Sequence, residues 1–252
     1  MRVVYGMNPV RELLRAGAEG IAELWLAEGG ERPRAFAELE RIARDHGAKV
    51  RTAPRPRLDR LAGVTQHQGI VAVVADYRYR EVDDILEVAR KAGKPPLLVL
   101  LDGVEDPHNL GAVVRSAHAL GAHGVVLPRD RAASVTPSAA KASAGAVEHL
   151  PIARVTNLVR TLEELKEAGV WTVAAVPDGD VELSSVDLRG PIALVIGGEG
   201  QGVRPLVRKS CDHAARIPMA GRVGSLNASA AAANAIYEAM RQRGESTGKI
   251  PA

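Results

Sequence analysis

The residues able to do chemistry sit in three glycine-bearing loops, each following a short apolar run. The first is Asp102-Gly-Val-Glu-Asp-Pro-His-Asn-Leu-Gly-Ala-Val-Val-Arg115. The second is Ile192-Ala-Leu-Val-Ile-Gly-Gly-Glu-Gly-Gln-Gly202, and the third Arg216-Ile-Pro-Met-Ala-Gly-Arg-Val-Gly-Ser-Leu-Asn-Ala-Ser229. Their polar members are Asn109, Arg115, Glu199, Ser225 and Asn227. Amides and hydroxyls fix geometry, a carboxylate orients a cation or a donor, and a guanidinium forks onto phosphate or a developing oxyanion. A strand end opening onto such a loop is a ligand position in α/β sheets, because backbone N–H groups and a helix N-terminus converge there.

Several other chemistries fail on spacing. Gly197 to Gly202 does not spell G-x-G-x-x-G, and Gly244-Glu-Ser-Thr-Gly-Lys249 is one residue short of a phosphate loop. The seven histidines have no metal-ligand spacing, so no metal is expected. Ser225 lacks the nucleophile-elbow context of an esterase serine. The single Cys211 rules out an internal disulfide and fits a reducing cytoplasm, where the protein is expected. No apolar run approaches the roughly 18 residues that span a bilayer, so no membrane association is expected. A net charge of +3 permits a nucleic-acid partner without demanding one. Arginine outnumbers lysine, which suits phosphate binding and is equally what GC-rich codons produce.

The elements that must position the loops alternate in type. Residues 1–76 read as a small α/β unit. Asn8 and Pro9 open a helix through Arg15, Glu23–Ala27 is a strand, and Pro33–His46 is an amphipathic helix closed by Gly47. Strands at Lys49–Thr52 and Ile70–Ala75 flank Pro54–Arg60 and Val64–Gly69, which bring basic and amide side chains to one edge. That edge reads either as an RNA-phosphate surface or as an ordinary solvated basic face. Residues 77–95 read as a tether with one short helix. From Leu97, near-continuous apolar strands alternate with helices, which argues for a mostly parallel sheet covered on both faces. The alanine-dense helix after Asn227 is expected to be buried, and the tail 244–252 to be disordered.

Asn109 with Gly111 and Arg115, then Ile196-Gly-Gly-Glu-Gly-Gln-Gly-Val203, then Ile217-Pro-Met with Ser225-Leu-Asn-Ala-Ser, resemble the three motifs of the SpoU/TrmH family in the SPOUT superfamily. Val4-Tyr-Gly-Met-Asn-Pro-Val-Arg-Glu-Leu-Leu14 and the His67–Ile70 turn extend the likeness to RlmB-type 23S ribosomal RNA guanosine-2′-O-methyltransferases. The resemblance implies an L30e-like RNA-binding domain at 1–76 and a methyltransferase domain at 96–252 with a deep trefoil knot. It also implies a homodimer, S-adenosyl-L-methionine as cofactor and ribosomal RNA as partner. Gly197, Gly198, Ile217, Met219 and Leu226 would hold the cofactor, and Arg115, Asn109, Glu199, Ser225 and Asn227 would serve the reaction. Ala228 departs from the valine of many members. Glu199 stands between two roles, orienting Arg115 or the substrate, and bridging helix N-termini. The motifs report cofactor and ribose rather than RNA sequence, so transfer RNA, another ribosomal RNA site, or a non-catalytic RNA-binding assembly role stay open alternatives.

Overall fold

The computed structural model describes residues 1–17, 20–29, 34–222 and 224–244. The tail expected to be disordered lies outside them beyond Gly244, as do Val223 of the third loop and Pro33, the expected helix start.

The first sheet contains β1 (Arg2–Tyr5), β2 (Ile21–Ala27), β3 (Lys49–Ala53) and β4 (Ile70–Val74), in the order β1-β4-β2-β3. Strand β4 runs antiparallel to both neighbours, and β2 and β3 run parallel. Alternation along β2 splits its side chains between two cores. Leu24 and Leu26 meet Leu13, Leu14, Phe36 and Leu39 from α1 (Met7–Arg15) and α2 (Arg34–Asp45). Trp25 and Ala27 face the other way, onto Leu58 of α3 (Arg55–Ala62).

Two local readings change here. Helix α1 is capped by Gly6 at φ 93°, and Asn8 sits inside the first turn. A residue with a Cβ is strained at that φ, and one at Gly6 would meet Lys141 Nζ and Gln68 Oε1, so the glycine sets the start. Residues 55–62, read only as a basic stretch, form α3. His67 is fully buried: its Nδ1 accepts from Gly69 N at 3.0 Å, which leaves Nε2 to donate to Asp59 at 3.0 Å. It pins α3 to the turn instead of facing a ligand. Gln68 Oε1 accepts from Met7 N at 3.0 Å and Lys141 Nζ at 2.9 Å, so it too is committed within the fold.

The second sheet has seven strands, all in parallel pairs. They are β5 (Leu97–Asp102), β6 (Gly124–Pro128), β7 (Ile152–Val155), β8 (Trp171–Ala175), β9 (Val181–Glu182), β10 (Ile192–Gly197) and β11 (His213–Arg216). Their order is β7-β6-β5-β10-β8-β11-β9. The central strands are buried on both faces, which is why they read as unbroken apolar runs. Leu97, Val99 and Leu101 of β5 pack with α5 (Pro107–Ala119), α6 (Pro137–Ala142) and α9 (Ala228–Gln242). Leu98 and Leu100 face the opposite side, with Leu158, Leu162 and Leu165 of α7 (Leu158–Glu167) and Val207 of α8 (Pro205–Lys209).

The stretch expected to be a tether carries α4 (Val82–Lys91). Its Ile85 is fully buried in the core under α7, and a Cβ on Gly124 would meet Ile85 at 2.6 Å. At the other end Arg243, at the C-cap of α9, donates to the carbonyls of Pro95, Pro96, Leu188 and Gly190. The first sheet's unit contacts the second through Arg2, whose guanidinium donates to both Glu148 oxygens at 2.8 and 2.7 Å. His149 adds a 2.9 Å contact to Glu12 and stacks on His118 at 5.5 Å.

Close packing of α5 on α6 depends on Gly111, where a Cβ would fall 2.5 Å from the Ala139 carbonyl and 2.6 Å from Ala142 Cβ. Gly111→Ala is therefore expected to reverse the usual helix trend. Alanine normally gains about 1 kcal/mol over glycine in a helix. Overpacking here should outweigh that with a net loss of about 1–2 kcal/mol, read as a lower Tm in thermal unfolding. A raised Tm would show that α6 yields freely.

Candidate active site at three converging loops

The site is assembled at the C-terminal ends of β5 and β10. Strand β5 finishes on Asp102, and α5 begins at Pro107 with Asp106 as its N-cap, accepting from His108 N at 3.0 Å. Strand β10 finishes on Gly197 and enters a tight turn in which Gly202 N donates to Gly198 O at 3.0 Å. The third loop ends on Asn227, whose Oδ1 accepts from Ser229 N and Ala230 N and so caps α9.

Backbone meets backbone where the first two loops touch. Gly198 N donates to Asp102 O at 2.8 Å. A Cβ on Gly198 would lie on the Gly103 carbonyl, and one on Gly197 would lie on the backbone between Gly202 and Val203. These glycines make room for the chain itself. At Gly200, by contrast, a Cβ would meet nothing within 4 Å.

Three side chains close a hydrogen-bonded ring over this crossing. Asn109 Nδ2 donates to Glu199 Oε1 at 3.1 Å, Asn227 Nδ2 donates to Asn109 Oδ1 at 3.0 Å, and Asn227 Nδ2 also donates to Glu199 Oε1. One residue comes from each loop, so the ring ties α5, the turn after β10 and the start of α9 together. For Glu199 the structure shows two amides gathered at the starts of α5 and α9, and no contact with Arg115.

The turn 198–202 separates two cavities. One, of about 580 Å³, is rimmed by Glu105, Asn109, Asp130, Arg131 and Arg204. The other, of about 600 Å³, is lined by Gly197, Gly198, Ile217, Met219, Ser225 and Leu226, with Val176 and Ile196 behind them. All five residues expected at a cofactor thus share one cavity, with Ser225 and Asn227 on its wall. Both volumes suit a medium-sized ligand. Arg115 is the exception among the expected site residues. It is exposed on α5, six residues beyond Asn109 and so on another face of the helix, and it lines neither cavity. It has no hydrogen bond or ion pair among the described residues.

Asp102 and Arg204 were not singled out from sequence. Asp102 is completely buried; it accepts from Arg204 N at 2.8 Å and from Arg204 Nε at 2.7 Å. A lone carboxylate ending the run Leu97-Leu-Val-Leu-Leu101 was the available signal, since a buried acid needs a partner. Cys211 is no nucleophile: burial, the largest influence, pushes its thiol up to about 12. Among the described residues no cluster of His, Cys, Asp or Glu is placed to hold a metal, and no helix is long and apolar enough to cross a membrane.

This geometry is that of a sheet-end binding site wrapped by its own chain, and comparison with known proteins gives the class. Residues 96–237 match the model of the SpoU rRNA Methylase family, and residues 3–80 match that of the RNA 2′-O ribose methyltransferase substrate binding domain. The chain belongs to the SpoU methyltransferase family. A putative TrmH family tRNA/rRNA methyltransferase of Bacillus subtilis is 45% identical over 240 residues, with 95% of each chain covered. The 23S rRNA (guanosine-2′-O-)-methyltransferase RlmB of Shewanella oneidensis is 43% identical over 241 residues, covering 96% of this chain and 97% of its own. The SpoU methyltransferase AviRb of Streptomyces viridochromogenes, solved in complex with AdoMet, superposes with a TM-score of 0.80 at 31% identity, covering 96% of this chain and 90% of its own.

Arg204→Ala is expected to destabilise the fold by on the order of 3 kcal/mol, because it strips the buried Asp102 carboxylate of its guanidinium. Adding Asp102→Asn should recover part of that loss by removing the uncompensated charge. Urea unfolding of the single and double variants checks this; equal stabilities would mean the pair contributes nothing.

Proposed function

We propose that this protein is an S-adenosyl-L-methionine-dependent RNA ribose 2′-O-methyltransferase acting on a guanosine of 23S ribosomal RNA. One observation carries the reading. The five expected cofactor residues line a single cavity, and the Asn109–Glu199–Asn227 ring stands at its border with a second, polar cavity. The full-length likeness to the Shewanella oneidensis enzyme favours 23S ribosomal RNA over other RNAs. The knotted path and the homodimer that go with this family are part of the same proposal.

The residues present fit the cofactor. Apolar Ile217, Leu226 and Val176 suit an adenine ring, and the Gly200 backbone, with no Cβ, lies on the cavity wall where polar atoms can approach it. When bound, the cofactor would supply an electrophilic methyl group carried on a sulfonium, with a neutral thioether as the leaving group. The chain's own work is positioning. Reacting atoms must be held in line at roughly 3–3.5 Å, and a ring that locks three loops together is the kind of support that holds them there. Asn109 and Asn227 have their amide groups committed to the ring, so they act through geometry. Ser225, on the cavity wall with no hydrogen bond among the described residues, is free to meet a ligand.

Arg115 is assigned to the developing alkoxide or its neighbouring phosphate. A guanidinium stays protonated at any working pH, so it stabilises negative charge and does not take the hydroxyl proton. That proton leaves to phosphate or water. Exposed and unpaired on α5, Arg115 is available to RNA, and in the proposed dimer to the other copy's site.

The direct test is methyl transfer by the purified protein to unmodified 23S ribosomal RNA, with the product nucleotide mapped. A single 2′-O-methylguanosine is expected. Methylation of transfer RNA alone would move the substrate assignment, and cofactor binding without any transfer would favour a non-catalytic RNA-binding role.

Arg115 has its own test. Arg115→Ala and Arg115→Lys are both expected to slow single-turnover methylation at saturating RNA by about 10²–10³-fold, since a lysine ammonium cannot replace a planar fork. Affinity for S-adenosylhomocysteine should hardly change. A near-normal rate for Arg115→Lys would leave Arg115 as a phosphate anchor only.

A further inference from the structure

Several helical arginines of this chain are paired with a carboxylate of their own helix. On α2, Arg44 pairs with Glu40 and Arg41 with Asp45; on α4, Arg90 pairs with Glu87; on α7, Arg160 pairs with Glu164; on α9, Arg241 pairs with Glu238. Each is neutralised within its own helix. Arg11, Arg34 and Arg115 reach no carboxylate among the described residues but stand singly on their helices, whereas helix α3 groups three such arginines. Arg55, Arg57 and Arg60 are all exposed, and none reaches a carboxylate among the described residues. The only acid on α3, Asp59, is turned towards the buried His67. The charge of this helix is therefore left facing solvent.

On the neighbouring edge strand Lys49 adds to it, and Arg51 is paired with Glu23. Lys49 and Arg51 of β3 are exposed and, by alternation, share the sheet face that α3 covers. Arg51 is held by Glu23 at 3.1 Å, and its guanidinium carbon lies 5.4 Å from the Trp25 ring centroid. Arg57 lies over the same ring at 4.6 Å. Trp25 itself is only 7% exposed. It thus serves as a plate that fixes two guanidinium groups, which lowers the ordering cost when they meet a ligand. Being covered, it offers no ring on which a base could stack.

We propose that α3 and the edge of β3 form a phosphate-binding face that docks the sugar–phosphate backbone of the RNA substrate, with Arg55, Arg57 and Arg60 as its contacts. This rests on the RNA methyltransferase reading and adds where, outside the catalytic loops, the RNA is gripped. Planar guanidinium forks match phosphate oxygens, and a face with charge but no open aromatic ring reads backbone, not bases. The two readings of the basic edge left open by the sequence are thereby separated. His67 and Gln68 are spent on the fold, and the arginines of α3 are not.

The test compares two double variants of equal charge change in the full-length protein. Arg55→Gln/Arg60→Gln removes two unpaired charges from α3, and Arg41→Gln/Arg44→Gln removes two carboxylate-paired charges from α2. Binding to protein-free 23S ribosomal RNA is measured across a salt series, together with single-turnover methylation at saturating RNA. For the α3 pair, affinity near 0.1 M salt should fall about tenfold or more, and the slope of log K against log salt should drop by roughly 2. The α2 pair should lose no more than about threefold, and both should keep wild-type single-turnover rates and unfolding midpoints. If the α3 pair binds like wild type, or no worse than the α2 pair, while wild type methylates RNA, the face is wrong and the enzyme assignment stands. If wild type neither binds nor methylates RNA, both fall together.

Discussion

The site depends on a backbone-to-backbone contact. The turn after β10 lies so close to the loop after β5 that a single carbon on Gly198 would collide with the Gly103 carbonyl, and one on Gly197 would strike the turn's own return strand. Side chains elsewhere in the core are interchangeable within limits of volume, but here no volume is available. Because the two loops touch through main chain, the buried carboxylate of Asp102 can reach both the backbone and the guanidinium of Arg204. Asn109 can likewise reach Glu199, 90 residues away in sequence. Both polar contacts require that crossing.

The polar groups divide their labour by burial. Asp102 is inaccessible to ligand and acts as a clamp; its charge is offset locally by Arg204, as a buried ion must be. Glu199, Asn109 and Asn227 sit at the surface of the cavities, where each hydrogen bond is individually modest. Their ring gains its value from joining three segments, one of which is the N-cap of α9. A change at Asn227 would therefore reach the helix, the turn and α5 together. Ser225 and the apolar residues of the third loop are left free of internal partners and available to a ligand.

Polar contacts link the first sheet's unit to the second. Arg2 with Glu148, Glu12 with His149 and Gln68 with Lys141 make the junction, and His149 in turn stacks on His118 of α5. The helix that carries Asn109 and Arg115 is thus touched on one side by the glycine-bearing loops and on another by the junction. The arginine-bearing α3 belongs to the same small unit, so a substrate held there is presented to the site through these polar contacts.

The sequence by itself determined the alternation of strands and helices from Leu97 onward, the mostly parallel character of the larger sheet and the loops that line the cavity. Alternating apolar strands and helices are a local signal, and the three loops declared themselves by glycine and amide content at strand ends. Ile217, Met219 and Leu226 were expected beside Gly197, and they line its cavity. What the sequence could not decide were contacts between distant segments. Asp102 read as the end of a strand until Arg204 was seen to fold back onto it, and Gly197 read as a cofactor residue with no sign of how tightly the chain packs on it. His67 and Gln68 read as members of a basic edge, and only their partners Asp59, Gly69, Met7 and Lys141 show them to be internal pins. The reason is common to all four cases. Residue type and spacing report what a side chain is able to do, while burial and partner choice are fixed by which distant backbone arrives beside it.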